Sequence, residues 1–337
     1  MVLNHQNKII TDFVTLANEL LNRKDNWGEW ARLAKIYNPW FTELNVAYAL
    51  SSIIDMLQVD NLNALLEGIK FEQKGKKIGV VMAGNLPLVG FHDFMCILLS
   101  GNQVYAKLST QDPVLLKIVS DILFEIAPEL KERVYFVEKL NGMDAVIATG
   151  SDNSAKYFNY YFSSIPHIIR KNRTSLAVLN GEETREELEE LGNDIFTYYG
   201  LGCRNISKIY LPAGFPINKF FEAIEKFHDV GNHNKYQNNY SYNKSVYLIN
   251  SITHLDNGFL LLTESTELVS PLGVLFYEYY SSLQELENNL LLWKDKIQVI
   301  TSRQGWFPGS IKLGKAQRPE VGDFADGVNT LEFLAKM

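Results

Sequence analysis

The 337-residue sequence is 46% hydrophobic and 21% charged, and its 32 Lys and Arg residues against 39 Asp and Glu residues give a net charge of −7. This ordinary globular composition excludes a disordered chain, and the acidic balance argues against a nucleic-acid surface. The two cysteines, Cys96 and Cys203, argue against a disulfide framework and against a zinc site.

The first eight residues are polar and are not followed by the apolar core of a signal peptide. No apolar run reaches the length of about 18 residues that a transmembrane helix needs. The sequence therefore predicts a cytoplasmic protein without membrane insertion.

Residues 1–74 predict a helical N-terminal segment. Apolar residues recur at helical spacing in two groups, which are Ile9, Ile10, Phe13, Leu16 and Leu20, then Val46, Leu50, Ile53, Ile54 and Leu57. Such apolar stripes must be buried against a partner, so we expect this segment to pack on the domain that follows.

From residue 75 onward, short apolar runs alternate with helical patterns. The runs predict strands at 78–82, 103–108, 134–137, 145–148 and 175–179, and the helical patterns span 92–99, 113–126 and 153–164. This alternation is typical of an α/β fold in which helices cover a parallel sheet. Ligands of such sheets bind beyond the carboxyl ends of the strands, so the residues that follow each strand are the first candidates for a site.

Three polar turns follow predicted strands, at 83–87, 107–113 and 149–151. The Thr149-Gly150-Ser151 turn precedes a helix, and the amides at a helix N-terminus suit an anion such as a diphosphate. Ordinary turn chemistry is the simpler explanation of each turn taken singly. No G-x-G-x-x-G motif follows the first strand, so the usual dinucleotide fingerprint is missing.

An acidic helix is predicted over 182–199, and it leads into Gly200-Leu201-Gly202-Cys203-Arg204-Asn205. Glycines allow a tight bend that brings backbone N–H groups near the sulfur, and a neighbouring arginine favours the thiolate. Cys203 is thus the candidate nucleophile, and a small buried packing residue is the alternative. Cys96 lies in an apolar helical run and is expected to be a packing residue.

A second α/β domain is predicted after the cysteine. Its expected strands are 208–211, 245–249, 274–277 and 297–301, and its expected helices are 216–228 and 282–293. The segment 230–243, rich in Asn, Tyr and His, is expected to be a loop. His233 lies in it without a second metal-ligating residue at a suitable spacing, so we expect a surface residue.

Taken in order, five elements resemble those of the aldehyde dehydrogenase superfamily, and most closely its acyl-CoA reductase branch of the luminescence fatty acid reductase type. The likeness spans about residues 75–335. Two of the elements resemble the catalytic parts of the family: Gly84 to Pro87 resembles the turn whose asparagine holds the substrate oxyanion, and Gly202-Cys203 resembles the region of the catalytic cysteine. The other three resemble parts that contact the cofactor. Lys107 to Ser109 resembles the element at the adenosine ribose, Thr149 to Ser151 resembles the diphosphate turn, and Glu267 to Pro271 resembles the element at the nicotinamide ribose.

The resemblance implies an aldehyde dehydrogenase-like α/β fold in four parts. These are a helical segment at 1–74, a Rossmann-type dinucleotide-binding domain at 75–174, a catalytic domain at 175–310 and a C-terminal tail at 311–337. It implies catalytic roles for Cys203 and Asn85. The implied cofactor-binding residues are Lys107, Ser109, Thr110, Thr149, Gly150, Ser151 and Glu267, and no metal is implied.

The chain departs from the superfamily pattern at two places. Where the hydrolytic aldehyde dehydrogenases carry a glutamate base, it reads Ile169-Arg170-Lys171-Asn172-Arg173. A positioned general base contributes roughly 10²- to 10⁴-fold in rate, so its absence should disfavour attack by water on an acyl-enzyme. Thr110 stands where NAD-preferring relatives often place a glutamate, which favours NADPH as the cofactor, with NADH as the alternative.

These features predict an NAD(P)H-dependent enzyme that reduces an acyl-CoA thioester, expected to be fatty acyl, to the aldehyde through an S-acyl-cysteine. One alternative is an acyl-phosphate reductase or an aldehyde dehydrogenase of the same fold. The other alternative is a non-catalytic binding subunit. The resemblance further suggests an acyl-activating partner protein, and a homo-oligomer is a further expectation.

Overall fold

The computed structural model describes residues 2–71 and 75–337. The chain divides into two compact units. The first contains the residues up to Asn172 together with Glu320–Met337, and the second contains Arg173–Pro319. No helix in these described ranges is both long and apolar enough to cross a bilayer.

Within the described residues, the first unit begins with four α-helices, in the segment that the apolar spacing predicts to be helical. They are α1 (Val2–Asn22), α2 (Trp27–Lys35), α3 (Glu43–Met56) and α4 (Val59–Leu66). Their buried stripes, with Phe13 and Leu50 fully covered, share one hydrophobic core with the strand residues Ile78 and Val80. The N-terminal helices therefore belong to the same folded unit as the sheet that follows.

That first sheet is entirely parallel. Its strands are β1 (Lys77–Val81), β2 (Gln103–Lys107), β3 (Val134–Phe136), β4 (Ala145–Thr149) and β5 (His167–Arg170), and its helices are α5 (Phe91–Leu99), α6 (Leu115–Ile126) and α7 (Asp152–Tyr161). The spatial order is β3-β2-β1-β4-β5. The order reverses between β1 and β4, and ligands of α/β sheets bind beyond the strand ends at such a point.

The second unit is built on a seven-stranded sheet. Its strands are β6 (Thr174–Val178), β7 (Ile206–Pro212), β8 (Leu255–Asp256), β9 (Leu261–Glu264), β10 (Val274–Tyr280), β11 (Ile297–Ser302) and β12 (Ile311–Lys312). Its helices are α8 (Arg185–Phe196), α9 (Ile217–Ile224), α10 (Asn234–Ile249) and α11 (Leu283–Trp293). The order is β12-β11-β6-β7-β10-β9-β8, and only the pairing of β8 with β9 is antiparallel.

The structure corrects two expectations in this unit. The segment 245–249 is the end of helix α10 rather than a strand, and most of the expected loop 230–243 is the beginning of the same helix. Its buried residues Tyr236, Tyr240 and Tyr247 recur at helical spacing and form the packed face. His233 is half-buried and caps this helix, with its Nδ1 accepting from the Tyr236 N–H at 3.4 Å.

The predicted tail 311–337 is not a unit of its own. Residues 311–319 contain β12 and lie in the second unit, whereas residues 320–337 return to the first. Helix α12 (Thr330–Ala335) buries Leu331 and Leu334 in the core of the first unit. The C-terminus is thus part of the packing of the first sheet.

Candidate active site

The loop before Cys203 has an unusual backbone. After α8 the chain turns through Tyr198 and Tyr199, whose φ angles are 55° and 59°, and then through Gly200 and Gly202 at 81° and 97°. Left-handed conformations at residues other than glycine cost roughly 1–3 kcal/mol each, and they cluster at functional sites. The two glycines use the conformational freedom on which the predicted tight bend depends, and the two tyrosines show that the segment is held under strain.

Cys203 is half-buried, and both peptide groups that flank it are fixed. Its carbonyl accepts from the Ser175 hydroxyl at 2.9 Å, and the carbonyl of Gly202 accepts from the Asn205 N–H at 3.4 Å. In a trans peptide the N–H points opposite to the C=O. The amides of Cys203 and Arg204 are therefore directed away from Asn205 and Ser175, respectively.

Arg204 contacts a second loop. Its Nη1 donates to the Ala316 carbonyl at 3.2 Å. The carboxylate of Asp194 organises that loop by accepting from the N–H groups of Gly314 at 2.7 Å and Ala316 at 2.9 Å. Burial raises the pKa of Asp194 to about 7, because the charged form is desolvated.

Sequence reasoning missed Asp194. A signal was present, because Asp194 falls three residues after Leu191 and so lies on the same, apolar side of α8. A carboxyl on a buried stripe requires hydrogen-bond donors from elsewhere in the fold. The role that we predicted for Arg204, to favour the thiolate, stays a prediction.

Glu267 lies in the connection between β9 and β10 and is exposed. The next residue, Leu268, is buried, and its carbonyl accepts from the Ser207 hydroxyl at 2.9 Å. Thr174 in turn contacts Ser207 at 2.7 Å between the two hydroxyl oxygens. Thr174 begins β6 and Ser207 lies near the start of β7, so the Cys203 loop and the Glu267 element meet at the amino-terminal edge of the second sheet.

In the first unit, the turn that carries Asn85 is held from both ends. The buried amide of Asn38 donates to the Gly84 carbonyl at 2.8 Å, and the Asp112 carboxylate accepts from the Leu88 N–H at 3.0 Å. Leu88 is left-handed, with φ of 57°. The side chain of Asn85 is exposed and, within the described residues, makes no hydrogen bond. A fixed turn thus displays an amide that is available to a ligand.

One of these supporting contacts, that of Asp112, comes from the turn after β2, and the same turn packs against Gly84. A Cβ at Gly84 would lie 2.5 Å from the Ser109 hydroxyl, so only glycine fits where the two turns meet. Asp112 also accepts from the Leu115 N–H, and burial raises the pKa of this carboxyl to about 6. Asn38 and Asp112 were both missed as supporting residues, although Asp112 precedes a proline at a predicted helix start, which is a usual place for a capping carboxylate.

The predicted cofactor-binding residues of the first unit gather at the carboxyl edge of its sheet. Lys107 ends β2, and its amine donates to the Glu138 carbonyl beyond the end of β3 at 2.7 Å. Thr149 ends β4, and Ser151 caps α7 by accepting from the Ser154 N–H at 3.2 Å. A Cβ at Gly150 would lie 2.8 Å from the Ser154 side chain, so the glycine is needed for the close turn.

The segment that stands in place of a glutamate base supplies no carboxylate. Arg170 ends β5 and forms a buried ion pair with Asp93. Its Nη2 donates to Asp93 at 2.9 Å and to the Thr330 hydroxyl at 3.0 Å. The guanidinium holds the pKa of Asp93 below its usual range despite burial. This arginine therefore joins β5, α5 and α12 in the core of the first unit.

The family model for Acyl-CoA reductase (LuxC) matches residues 43–224, which is more than half of the 337 residues. The chain belongs to the acyl-CoA reductase family. The match covers the N-terminal helices from α3, all of the first sheet and the Cys203 loop, and it confirms the resemblance drawn from the sequence motifs. No curated protein sequence matches this acyl-CoA reductase family member.

Solved structures confirm the aldehyde dehydrogenase fold of this acyl-CoA reductase family member. Aldehyde dehydrogenase 21 from Physcomitrella patens, in complex with the reaction product succinate, superimposes with a TM-score of 0.70 at 12% identity and covers 98% of this chain and 83% of its own. Indole-3-acetaldehyde dehydrogenase AldA from P. syringae gives a TM-score of 0.67 at 11% sequence identity. That match covers 93% of this chain and 75% of the dehydrogenase. The NAD+ complex of an aldehyde dehydrogenase from Bacillus cereus gives a TM-score of 0.63 at 12% sequence identity. That match covers 88% of this chain and 71% of the dehydrogenase.

Proposed function

We propose that this protein reduces an acyl-CoA thioester to the aldehyde with NADPH, through an S-acyl intermediate on Cys203. The observation that carries the proposal is the loop around Cys203, a half-buried thiol at the end of a strained left-handed segment with both flanking peptides fixed. Strain that the surroundings maintain in the segment leading to this cysteine suits a preorganised nucleophile better than a packing residue.

The chain's own residues would act as follows. The Cys203 thiolate attacks the thioester carbonyl, the carbon–sulfur bond to coenzyme A breaks, and coenzyme A leaves as its thiolate. The amide of Asn85 and the backbone N–H of Cys203 donate to the carbonyl oxygen as it gains charge. Each such donor typically contributes on the order of 10²- to 10³-fold in rate. When bound, the reduced nicotinamide supplies the hydride that releases the acyl group as the aldehyde and returns Cys203 as thiolate.

The described residues of the first unit fit a dinucleotide. The α7 N-terminus follows β4 beside the strand-order reversal, where backbone amides suit a diphosphate, and Gly150 leaves that approach open. Lys107 places a cation along the same edge. Thr110 is exposed and uncharged, while the neighbouring Asp112 carboxylate is engaged by backbone amides. This arrangement supports NADPH, because Thr110 carries no charge that would repel a 2′-phosphate and the Asp112 carboxylate is already hydrogen-bonded to backbone amides.

Intact-mass spectrometry after mixing the protein with a series of acyl-CoAs, without reductant, tests the proposal. We expect a stable mass gain of one acyl group in the wild type and in Cys96→Ala, whose thiol is buried, and no gain in Cys203→Ala. Addition of NADPH should discharge the acyl group faster than NADH does. An unmodified wild-type protein, or label that persists in Cys203→Ala, would overturn the proposal.

The same experiment addresses the remaining expectations. Acylation by an acyl phosphate but not by acyl-CoA would assign the rival leaving group. Labelling of Cys203 by acyl-CoA alone would show that an acyl-activating partner protein is not required for acylation of the cysteine. The acyl chain that gives fastest labelling would identify the preferred substrate, which we propose to be fatty acyl.

A further inference from the structure

Ser175 is a fully buried serine at the second position of β6, and its hydrogen bonds join β6 to the Cys203 loop and to β11. Its N–H donates to the Asn205 carbonyl at 3.0 Å, and its hydroxyl donates to the Cys203 carbonyl at 2.9 Å. The Val299 N–H of β11 donates to the same hydroxyl at 3.1 Å. Because a carbonyl only accepts and an amide N–H only donates, the Ser175 proton must point at Cys203.

We infer that Ser175 is a positioning residue for the nucleophile, relaying a backbone donor of β11 to the carbonyl of Cys203. The inference rests on the proposed function of Cys203. Fixing that carbonyl sets the plane of the peptide that follows Cys203, and with it the direction in which the side chain leaves the backbone.

The strain in the preceding segment makes this contact necessary. Tyr198 and Tyr199 hold left-handed conformations, which persist only where the surroundings impose them. Loss of the Ser175 hydroxyl would remove one hydrogen bond from the Cys203 carbonyl and one from the Val299 N–H, and the loss of hydrogen bonds at buried groups favours rearrangement. The loop would then relax, and the sulfur would occupy its reactive position for a smaller fraction of the time.

The test compares Ser175→Ala with Ser175→Thr, which keeps the hydroxyl, and with Thr301→Val. Thr301 is a fully buried residue of β11 whose hydroxyl makes no hydrogen bond among the described residues, so this variant changes a nearby buried hydroxyl without touching the relay. Single-turnover acylation by acyl-CoA gives the maximal rate and the half-saturating concentration. Alkylation by iodoacetamide, scored on the peptide that contains Cys203, gives the reactivity of the thiol without substrate.

For Ser175→Ala we expect the maximal acylation rate and the alkylation rate to fall at least about tenfold, with the half-saturating concentration unchanged within about twofold. Ser175→Thr should recover most of both rates, and Thr301→Val should keep them. Folded Ser175→Ala protein that reacts at wild-type rates would overturn the inference. If Ser175→Ala does not fold, Ser175→Cys, which preserves volume with a weaker donor, replaces it under the same criteria. If acyl-CoA does not label the wild type, the proposed function fails, while alkylation still decides the role of Ser175.

Discussion

At the scale of single residues, the two proposed catalytic groups are presented in different ways. Asn85 is an exposed amide on a turn that buried side chains hold from both ends. Cys203 is half-buried and fixed through its own backbone. An exposed side chain contributes little to packing, so its replacement should affect catalysis without affecting the fold.

Asn85→Ala is expected to lower the maximal rate of Cys203 acylation by roughly 10²- to 10³-fold, because one donor to the developing oxyanion is removed. The thermal midpoint should stay within about 2 °C of the wild type. Stopped-flow acylation and thermal unfolding measure the two quantities. Asn141→Ala, at an exposed loop asparagine of the same unit whose side chain makes no hydrogen bond among the described residues, is the matched control and should change neither. Wild-type acylation by Asn85→Ala would remove this residue from the site.

Asp194 provides a residue-scale prediction on pH. Its folded-state pKa of about 7 lies above the usual value of 3.8, so the folded protein holds a proton that the unfolded chain has lost. The free energy of unfolding should therefore fall as pH rises from about 4 to 7, by up to about 1.4 kcal/mol per pH unit, and should level off above pH 7.

Asp194→Asn removes that titration. Between pH 5 and pH 7, urea unfolding of the wild type should lose about 2 kcal/mol more than unfolding of the variant. Asp295→Asn, at an exposed position, should keep the wild-type pH dependence. Parallel curves for the wild type and Asp194→Asn would show that the buried carboxyl does not carry this proton.

At the scale of elements, two loops at the amino-terminal edge of the second sheet depend on hydroxyl groups of the strands below them. Ser175 of β6 holds the Cys203 loop, and Ser207 of β7 holds the buried residue next to Glu267. Strands supply rigid positions, whereas loops supply the unusual backbone that exposes reactive groups. The left-handed residues therefore lie in the loop, and hydrogen bonds from the strands hold that loop in place.

Gly200→Ala tests the left-handed loop as an element. Gly200 has φ of 81°, and an added Cβ would make only ordinary contacts, the nearest at 3.5 Å, so the backbone angle alone carries the penalty. Gly214, with φ of 79° and open space around it, is a matched control in the turn after β7. Both alanine variants should lose about 1 kcal/mol of stability in urea unfolding. Only Gly200→Ala should slow acylation of Cys203, and equal acylation by the two variants would contradict a special role for the loop.

At the scale of the whole molecule, most of the residues proposed to bind the cofactor lie in one unit, and the cysteine proposed to carry the acyl group lies in the other. The residues proposed to bind the dinucleotide in the first unit are Lys107, Ser109, Thr110, Thr149, Gly150 and Ser151, whereas Cys203 and Glu267 belong to the second unit. The last 18 residues return to the first unit, where Thr330 joins the buried pair of Arg170 and Asp93. The C-terminus thus contributes to the unit proposed to bind the cofactor.

Hydrogen exchange with and without NADPH should show this division. Because a ligand that binds only the folded state suppresses local opening, we expect the strongest protection in peptides that contain residues 82–88, 107–112 and 149–155. Lys107→Ala should reduce the protection at equal NADPH concentration, and Lys336→Ala, an exposed lysine in the same unit, should not. Protection confined to residues 206–300 would contradict the proposed binding edge.

The amino-acid sequence by itself determined the α/β class, most strands and helices, and the chain order of the motifs, because apolar periodicity and turn residues are local signals. Most of helix α10 was instead predicted to be a loop, because the tyrosines of its packed face lie among Asn and His residues that are typical of polar loops. Only the tertiary structure decided which residues support the candidate site. Ser175 reaches Val299 across 124 positions and Asp194 reaches Gly314 across 120, and no local pattern encodes a hydrogen-bond partner at that separation.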